Sequence, residues 1–130
     1  MERKPFAVML DDDRAVAEMY KLGLEVAGFR VVIAQDSPAF FMALEEELPD
    51  IVVLDWHLPG ETGAEVLERL REHWRTARLP VLMLSNFSTE ADGAVDRVFS
   101  FGALGWLTKS STSPALLADR LWESLRWAKP

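Results

Sequence analysis

The chain has no cysteine, which excludes disulfides, thiol catalysis and thiolate zinc sites together. Histidine is nearly as scarce, with only His57 and His73. A hard, oxygen-ligated cation is therefore the one metal the composition favours, and the acidic triplet Asp11-Asp12-Asp13 is where it would bind. No apolar stretch approaches the ~20 residues needed to span a bilayer. No signal-peptide pattern follows Met1-Glu2-Arg3-Lys4-Pro5, so a cytoplasmic protein without a membrane partner is expected. Basic charge is also short: 14 Lys and Arg against 21 Asp and Glu leave a net charge of -7, which argues against a direct grip on nucleic acid. Gly60 and Gly63 are not followed by Lys-Ser or Lys-Thr, so no phosphate-cradling loop forms there, and nucleophile-elbow and zinc-protease motifs are missing.

What is present is one domain's worth of chain. The 130 residues are 49% apolar and 27% charged, an ordinary globular balance. Apolar runs alternate with amphipathic stretches five times, the rhythm of a parallel sheet with crossover helices. The predicted strands are Phe6 to Leu10, Arg30 to Ala34, Ile51 to Leu54, Val81 to Leu84 and Gly105 to Thr108.

The first helix is expected to turn Val16, Met19, Tyr20, Leu24 and Ala27 inward and to stop at Gly28. Ser37-Pro38 reads as cap and first residue of a second helix with Phe40, Phe41, Leu44 and Leu48 inward. A third follows the Gly60 to Gly63 turn with Val66, Leu67, Leu70 and Trp74 toward the sheet, and Glu65 and Arg69 able to pair outside. Thr89-Glu90-Ala91-Asp92 resembles a capping box opening a weak fourth helix through Val95, Val98 and Phe99. Ser113-Pro114 opens the fifth, through Leu117, Leu121 and Leu125.

Four strand ends then carry chemistry. Asp11 to Asp13 follow the first strand, Asp55 the third, Ser85 the fourth and Lys109 the fifth. In a doubly wound sheet these ends share one edge, where ligands bind. Carboxylates gathered there repel one another unless a divalent cation sits between them, and magnesium also bridges carboxylates to phosphate oxygens. A carboxylate can attack a phosphoryl donor if the metal and a cation such as Lys109 neutralise the transferred charge, while Ser85 adds a hydroxyl donor. The residues describe phosphoryl transfer onto Asp55.

At this point the chain resembles the receiver domain of bacterial two-component response regulators. Asp11 and Asp12, Asp55, Ser85 and Lys109 occupy that family's acidic pair, phosphoacceptor, Thr/Ser and Lys positions in order, and Asp55-Trp56-His57-Leu58-Pro59-Gly60 and Gly102 to Lys109 add further likeness. The resemblance implies a flavodoxin-like (βα)5 doubly wound parallel sheet, strand order 2-1-3-4-5, over residues 1–130. It implies Mg2+ held by Asp11, Asp12, Asp55 and the backbone carbonyl of His57, with phosphorylation by a histidine kinase or phosphotransfer protein. Ser85 would then move toward the phosphoryl group and Trp106 would change rotamer. The face of the fourth helix, fifth strand and fifth helix would change its preference for a downstream protein, an effector domain or a second copy of the chain. Such a protein catalyses only its own modification and is not an enzyme in the usual sense.

Three positions depart from the pattern. Ser110 stands where the family has a proline in a cis peptide, so a differently built loop is expected. Trp106 replaces Tyr or Phe, and Asn86 replaces a small residue. An EF-hand fails because Ala15 stands where an oxygen ligand is required. A haloacid-dehalogenase-like phosphatase would use Asp11 as nucleophile and Asp13 as acid with Ser85 and Lys109, and would leave Asp55 without a role. A receiver-like binding module that works without phosphorylation is the other alternative. His57 reads as a solvated loop residue or a tuner of hydrolysis, His73 as exposed, and Trp122 and Trp127 as core or rim packing.

Overall fold

The computed structural model describes residues 3–86 and 93–128. Five strands, β1 (Phe6–Leu10), β2 (Arg30–Ala34), β3 (Ile51–Leu54), β4 (Val81–Ser85) and β5 (Gly105–Thr108), pair in parallel in the order 2-1-3-4-5. The crossovers are α1 (Arg14–Val26), α2 (Ser37–Glu46), α3 (Gly63–Glu72) and α4 (Ala94–Ser100), and α5 (Pro114–Ala128) closes the fold. Between β3 and α3 a small antiparallel hairpin pairs His57–Leu58 with Glu61–Thr62.

The central strands β1, β3 and β4 are legible as apolar runs because both of their faces are covered, whereas the edge strands β2 and β5 are only partly buried. Alternate residues feed two cores. Val8, Leu10, Val52, Leu54, Val81 and Met83 meet Phe40, Leu44, Val66, Leu67, Leu70 and Val98 from α2, α3 and α4. Ala7, Met9, Ile51, Val53, Leu82 and Leu84 meet Tyr20, Leu24, Leu117, Leu121 and Leu125 from α1 and α5. The chain steps from β1 to β2 on one side and to β3 on the other, so the crevice outside β1 and β3 is the topological switch point.

Several local expectations are corrected. The α2 cap is Asp36, not Ser37: Asp36 is extended and accepts from the Ala39 N–H at 2.9 Å, while Ser37 is buried and bonds Glu61. Met19 is 49% exposed, because Ala17, Tyr20 and Leu24 define the buried stripe and Met19 lies about 100° around the helix from Tyr20. Trp74 is 84% exposed; α3 ends at Glu72, with His73 as its cap, so Trp74 is no longer carried on the inward face and stacks on exposed His73 instead. In α4, Ala94 and Val98 are buried, but Phe99 turns outward. The Thr89 to Asp92 capping box lies outside the described residues, as does the Trp127 side chain. Trp122 packs at the rim, tilted on Phe29 at 5.0 Å with its Nε1 donating to the Ala27 carbonyl at 3.1 Å.

Candidate functional site

The sheet's hydrogen bonding runs one residue past two strands. Asp11 donates its N–H to the Ala34 carbonyl and Asp55 its N–H to the Leu10 carbonyl, each at 3.0 Å. Both carboxylates are thereby fixed at the carboxyl edge of the central strands, 2% and 4% exposed. The acidic triplet divides its work. Asp11 is buried and accepts the Asp13 N–H at 2.9 Å, Asp12 is exposed, and Asp13 caps α1 by accepting from the Val16 N–H at 3.2 Å. Since Asp13 is spent as a helix cap, the general-acid role that a dehalogenase-like phosphatase would give it has no support.

From β5, Lys109 sends its ammonium between the two buried acids, 2.7 Å from Asp11 Oδ2 and 3.2 Å from Asp55 Oδ2. Ser85 ends β4 fully buried and stands in register with Thr108, the residue before Lys109. Trp106 on β5 lies against Trp56, ring centroids 5.6 Å apart, and Trp56 directly follows Asp55. His57 is exposed on the hairpin. One edge thus gathers Asp11, Asp12, Asp55, Ser85 and Lys109, as the strand ends imply.

Burial pushes the Asp55 carboxyl up; Lys109 pulls it down, Asp11 pushes it up again, and the balance stands at about 6. Burial alone would lower Lys109, but its hydrogen bond and charge contact with Asp11, together with Asp55, outweigh this and raise it. Near neutral pH the site therefore holds an ionised Asp55 carboxylate beside a fixed cation. Oxygens of Asp11, Asp12 and Asp55 lie within 4.8 Å of one another, a hard donor set that fits a divalent cation with oxygen preference.

Two supporting features explain why the loop sits so close. Gly63 donates its N–H to the Trp56 carbonyl at 2.7 Å, and a Cβ there would lie 2.4 Å from the Asp55 carbonyl oxygen. Only glycine permits that approach. Thr62 then caps α3 by accepting from the Glu65 N–H, and Arg69 reaches Glu61 on the hairpin at 2.8 Å.

Pattern reading missed the hydroxyl of Tyr20, which donates to the Thr112 carbonyl at 2.6 Å and lies 3.2 Å from that of Lys109. The signal was available: a tyrosine on the apolar face of a helix needs a partner for its hydroxyl once buried. Ser110 lies in the turn that follows β5. Lys109–Ser111 forms a 3-10 turn, and no peptide among the described residues is cis.

Residues 7–120 match the family model of the response regulator receiver domain. The chain belongs to that family. It is 35% identical over 126 residues to the phosphate regulon transcriptional regulatory protein PhoB of Rhizobium meliloti (strain 1021), covering 97% of this chain and 54% of PhoB. The chain spans about half the length of the curated relatives it matches. Among solved structures, a LuxR-family two-component response regulator from Aurantimonas sp. SI85-9A1 is 29% identical with a TM-score of 0.82, covering 96% of this chain and 87% of that one. A CheY-like receiver domain protein from Methanospirillum hungatei JF-1, 23% identical, shares the fold with a TM-score of 0.86 and 97% of each chain covered. Among the described residues no helix is long and apolar enough to cross a membrane.

Proposed function

We propose that residues 1–130 act as one receiver domain, a phospho-accepting switch of a two-component or phosphorelay system. The observation that carries this reading is the Asp55 carboxylate at the switch-point edge, buried, ionised near neutral pH, and held 3.2 Å from Lys109. Asp11, Asp12, Asp55 and the His57 backbone carbonyl would hold Mg2+, which when bound supplies positive charge for a phosphoryl group. The Asp55 oxygen attacks phosphorus in a phosphohistidine of a histidine kinase or phosphotransfer protein, or in a small acyl phosphate. The bond to the donor breaks, its electron pair leaves with the donor, and an acyl phosphate remains on Asp55. Lys109 shifts from carboxylate to phosphoryl oxygen, and Ser85 donates its hydroxyl to another. Water attack at phosphorus regenerates the carboxylate, so the chain turns over only itself.

The consequence passes along β4 and β5. Trp106 sits against Trp56 and on the strand that Lys109 directly follows, so rearrangement at the phosphoryl group reaches the α4-β5-α5 face through it. Phe99 of α4 and Leu104 before β5 are exposed there, apolar material for an effector domain, a separate protein or a second copy. The relative RpaA of Synechocystis is described as a DNA-binding transcriptional regulator, and this chain covers 46% of it. With a net charge of -7 this chain is expected to act on protein rather than nucleic acid, in the cytoplasm.

Incubation with Mg2+ and acetyl phosphate, read by intact mass, tests the reading. A magnesium-dependent phosphate adduct on wild type and none on Asp55→Asn is expected. No adduct with any phosphodonor overturns it in favour of a module that works without phosphorylation.

A further inference from the structure

Ser110 follows the lysine here, and the Lys109 ammonium is held 2.7 Å from Asp11 Oδ2 and 3.2 Å from Asp55 Oδ2. Its turn, Lys109–Ser111, is short and polar, and Ser110 and Ser111 are exposed. The turn's own hydrogen bond, from Thr112 N–H to the Lys109 carbonyl, is long at 3.4 Å. What closes the turn from inside is α1. Tyr20, the chain's sole tyrosine and 1% exposed, donates to the Thr112 carbonyl at 2.6 Å with the Lys109 carbonyl sharing the same hydroxyl at 3.2 Å. One phenol therefore spans both ends of the turn that carries the ammonium.

The packing around that phenol is built for close approach. Gly23, three residues along α1 from Tyr20, faces Pro114 at the start of α5, and a Cβ on Gly23 would lie 2.3 Å from the Pro114 Cβ. The contact draws the first turn of α5, and with it Thr112, against α1. A longer side chain at position 23 would push the turn beyond the reach of the Tyr20 hydroxyl.

We propose that Tyr20 is the positioning residue for Lys109, holding the turn that carries it through two backbone carbonyls. This rests on the phosphoacceptor reading. Tyr20 touches neither donor nor phosphoryl group and acts only through where Lys109 stands. Misplacing a charge-neutralising group by an ångström lowers the transfer rate without weakening metal binding, because the carboxylates remain in place.

The test compares wild type, Tyr20→Phe and a control, Phe29→Leu, which alters packing at the opposite end of the sheet. Tyr20→Phe keeps the ring and removes only the hydroxyl. At saturating Mg2+ and acetyl phosphate its maximal phosphorylation rate is expected to fall about tenfold, with Mg2+ affinity unchanged and the control near the wild-type rate. Hydrogen exchange in the same variant is expected to speed up at Ser110 to Thr112 and not in the sheet. Equal maximal rates, or a rate loss matched by the control, overturn the proposal. If wild type takes no phosphate, the phosphoacceptor reading fails by itself; unchanged exchange at Ser110 to Thr112 would then overturn the tether too, and localised acceleration would sustain it.

Discussion

Replacing Asp55 by asparagine should make the metal-free protein more stable at neutral pH, although the residue is buried and hydrogen-bonded. Asp55 stands at about 6 against 3.8 for an ordinary aspartate. The folded chain therefore binds a proton there more tightly than the unfolded chain does. In the window from about pH 4 to about pH 6 this group's contribution to stability falls as pH rises, and it stays lowered above that window. At ~1.4 kcal/mol per pH unit, holding Asp55 ionised in the fold costs about 3 kcal/mol at neutral pH. Asparagine removes that cost but accepts less strongly from Lys109, and solvent on the Asp12 side softens the repulsion. A net gain of about 1–2 kcal/mol is expected.

Urea unfolding with a chelator present, followed by tryptophan fluorescence, reads this directly. The variant should exceed wild type at pH 7.5, and the difference should shrink toward pH 4. Excess Mg2+ should narrow it from the other side, since an ion at 100 times its dissociation constant adds about 2.7 kcal/mol to the form that binds it. A variant less stable than wild type at pH 7.5 without metal, or a difference that does not move with pH, would refute the electrostatic account of the site.

Lys109→Met, measured the same way, should lose about 3–5 kcal/mol without metal, because it strands two buried carboxylates, and should regain part of that with Mg2+. Gly63→Ala forces its Cβ into the Asp55 carbonyl; both the urea midpoint and the rate of adduct formation in intact-mass time courses should fall. Arg71 donates to the carbonyls of Phe101 at 2.7 Å and Leu79 at 2.8 Å, so Arg71→Met should cost about 2–4 kcal/mol in unfolding and leave the phosphorylation rate at saturating Mg2+ unchanged. Calorimetric Mg2+ affinity should decline below about pH 6 with a slope approaching one proton per ion, as Asp55 takes up a proton.

Four of the five strands have the bounds predicted from the sequence, and β4 extends only one residue further, through Ser85. Strands buried on both faces advertise themselves because no polar residue is tolerated inside them. The site was legible for the same reason: a carboxylate or amine directly after such a run stands at the sheet edge whatever the helices do. The failures lie where a residue's partner is distant in sequence. Trp74 and Met19 continue a helical period on paper, but where α3 stops and which stripe of α1 meets the sheet are set by tertiary packing. Asp36 and Ser37 are both good caps, and the choice was made by Glu61, which engages Ser37 from the hairpin. Arg71 looks like a surface arginine until Leu79 and Phe101 are seen to converge on it.

The distribution of packing also says where a charge change at Asp55 can be felt. Asp11 and Asp55 are pinned by ladder hydrogen bonds to Ala34 and Leu10 in the middle of the sheet, and Gly63 is pressed against the Asp55 backbone. On the other side, Ser85 ends β4 and Lys109 directly follows β5, the two outermost strands on their flank of the sheet, which α4 connects. That helix has seven residues, buries only Ala94 and Val98, and begins at Gly93 without a side-chain cap. Elements with few buried contacts and uncapped ends reorganise at the least cost in free energy. On the phosphoacceptor reading proposed above, a new anion on Asp55 that draws Ser85 and Lys109 toward it would shift the weakly held α4 side, where Phe99 and Leu104 are exposed, before the β1–β3 side. On that reading, the gradient in packing would send the signal from the sheet centre outward to α4 and β5.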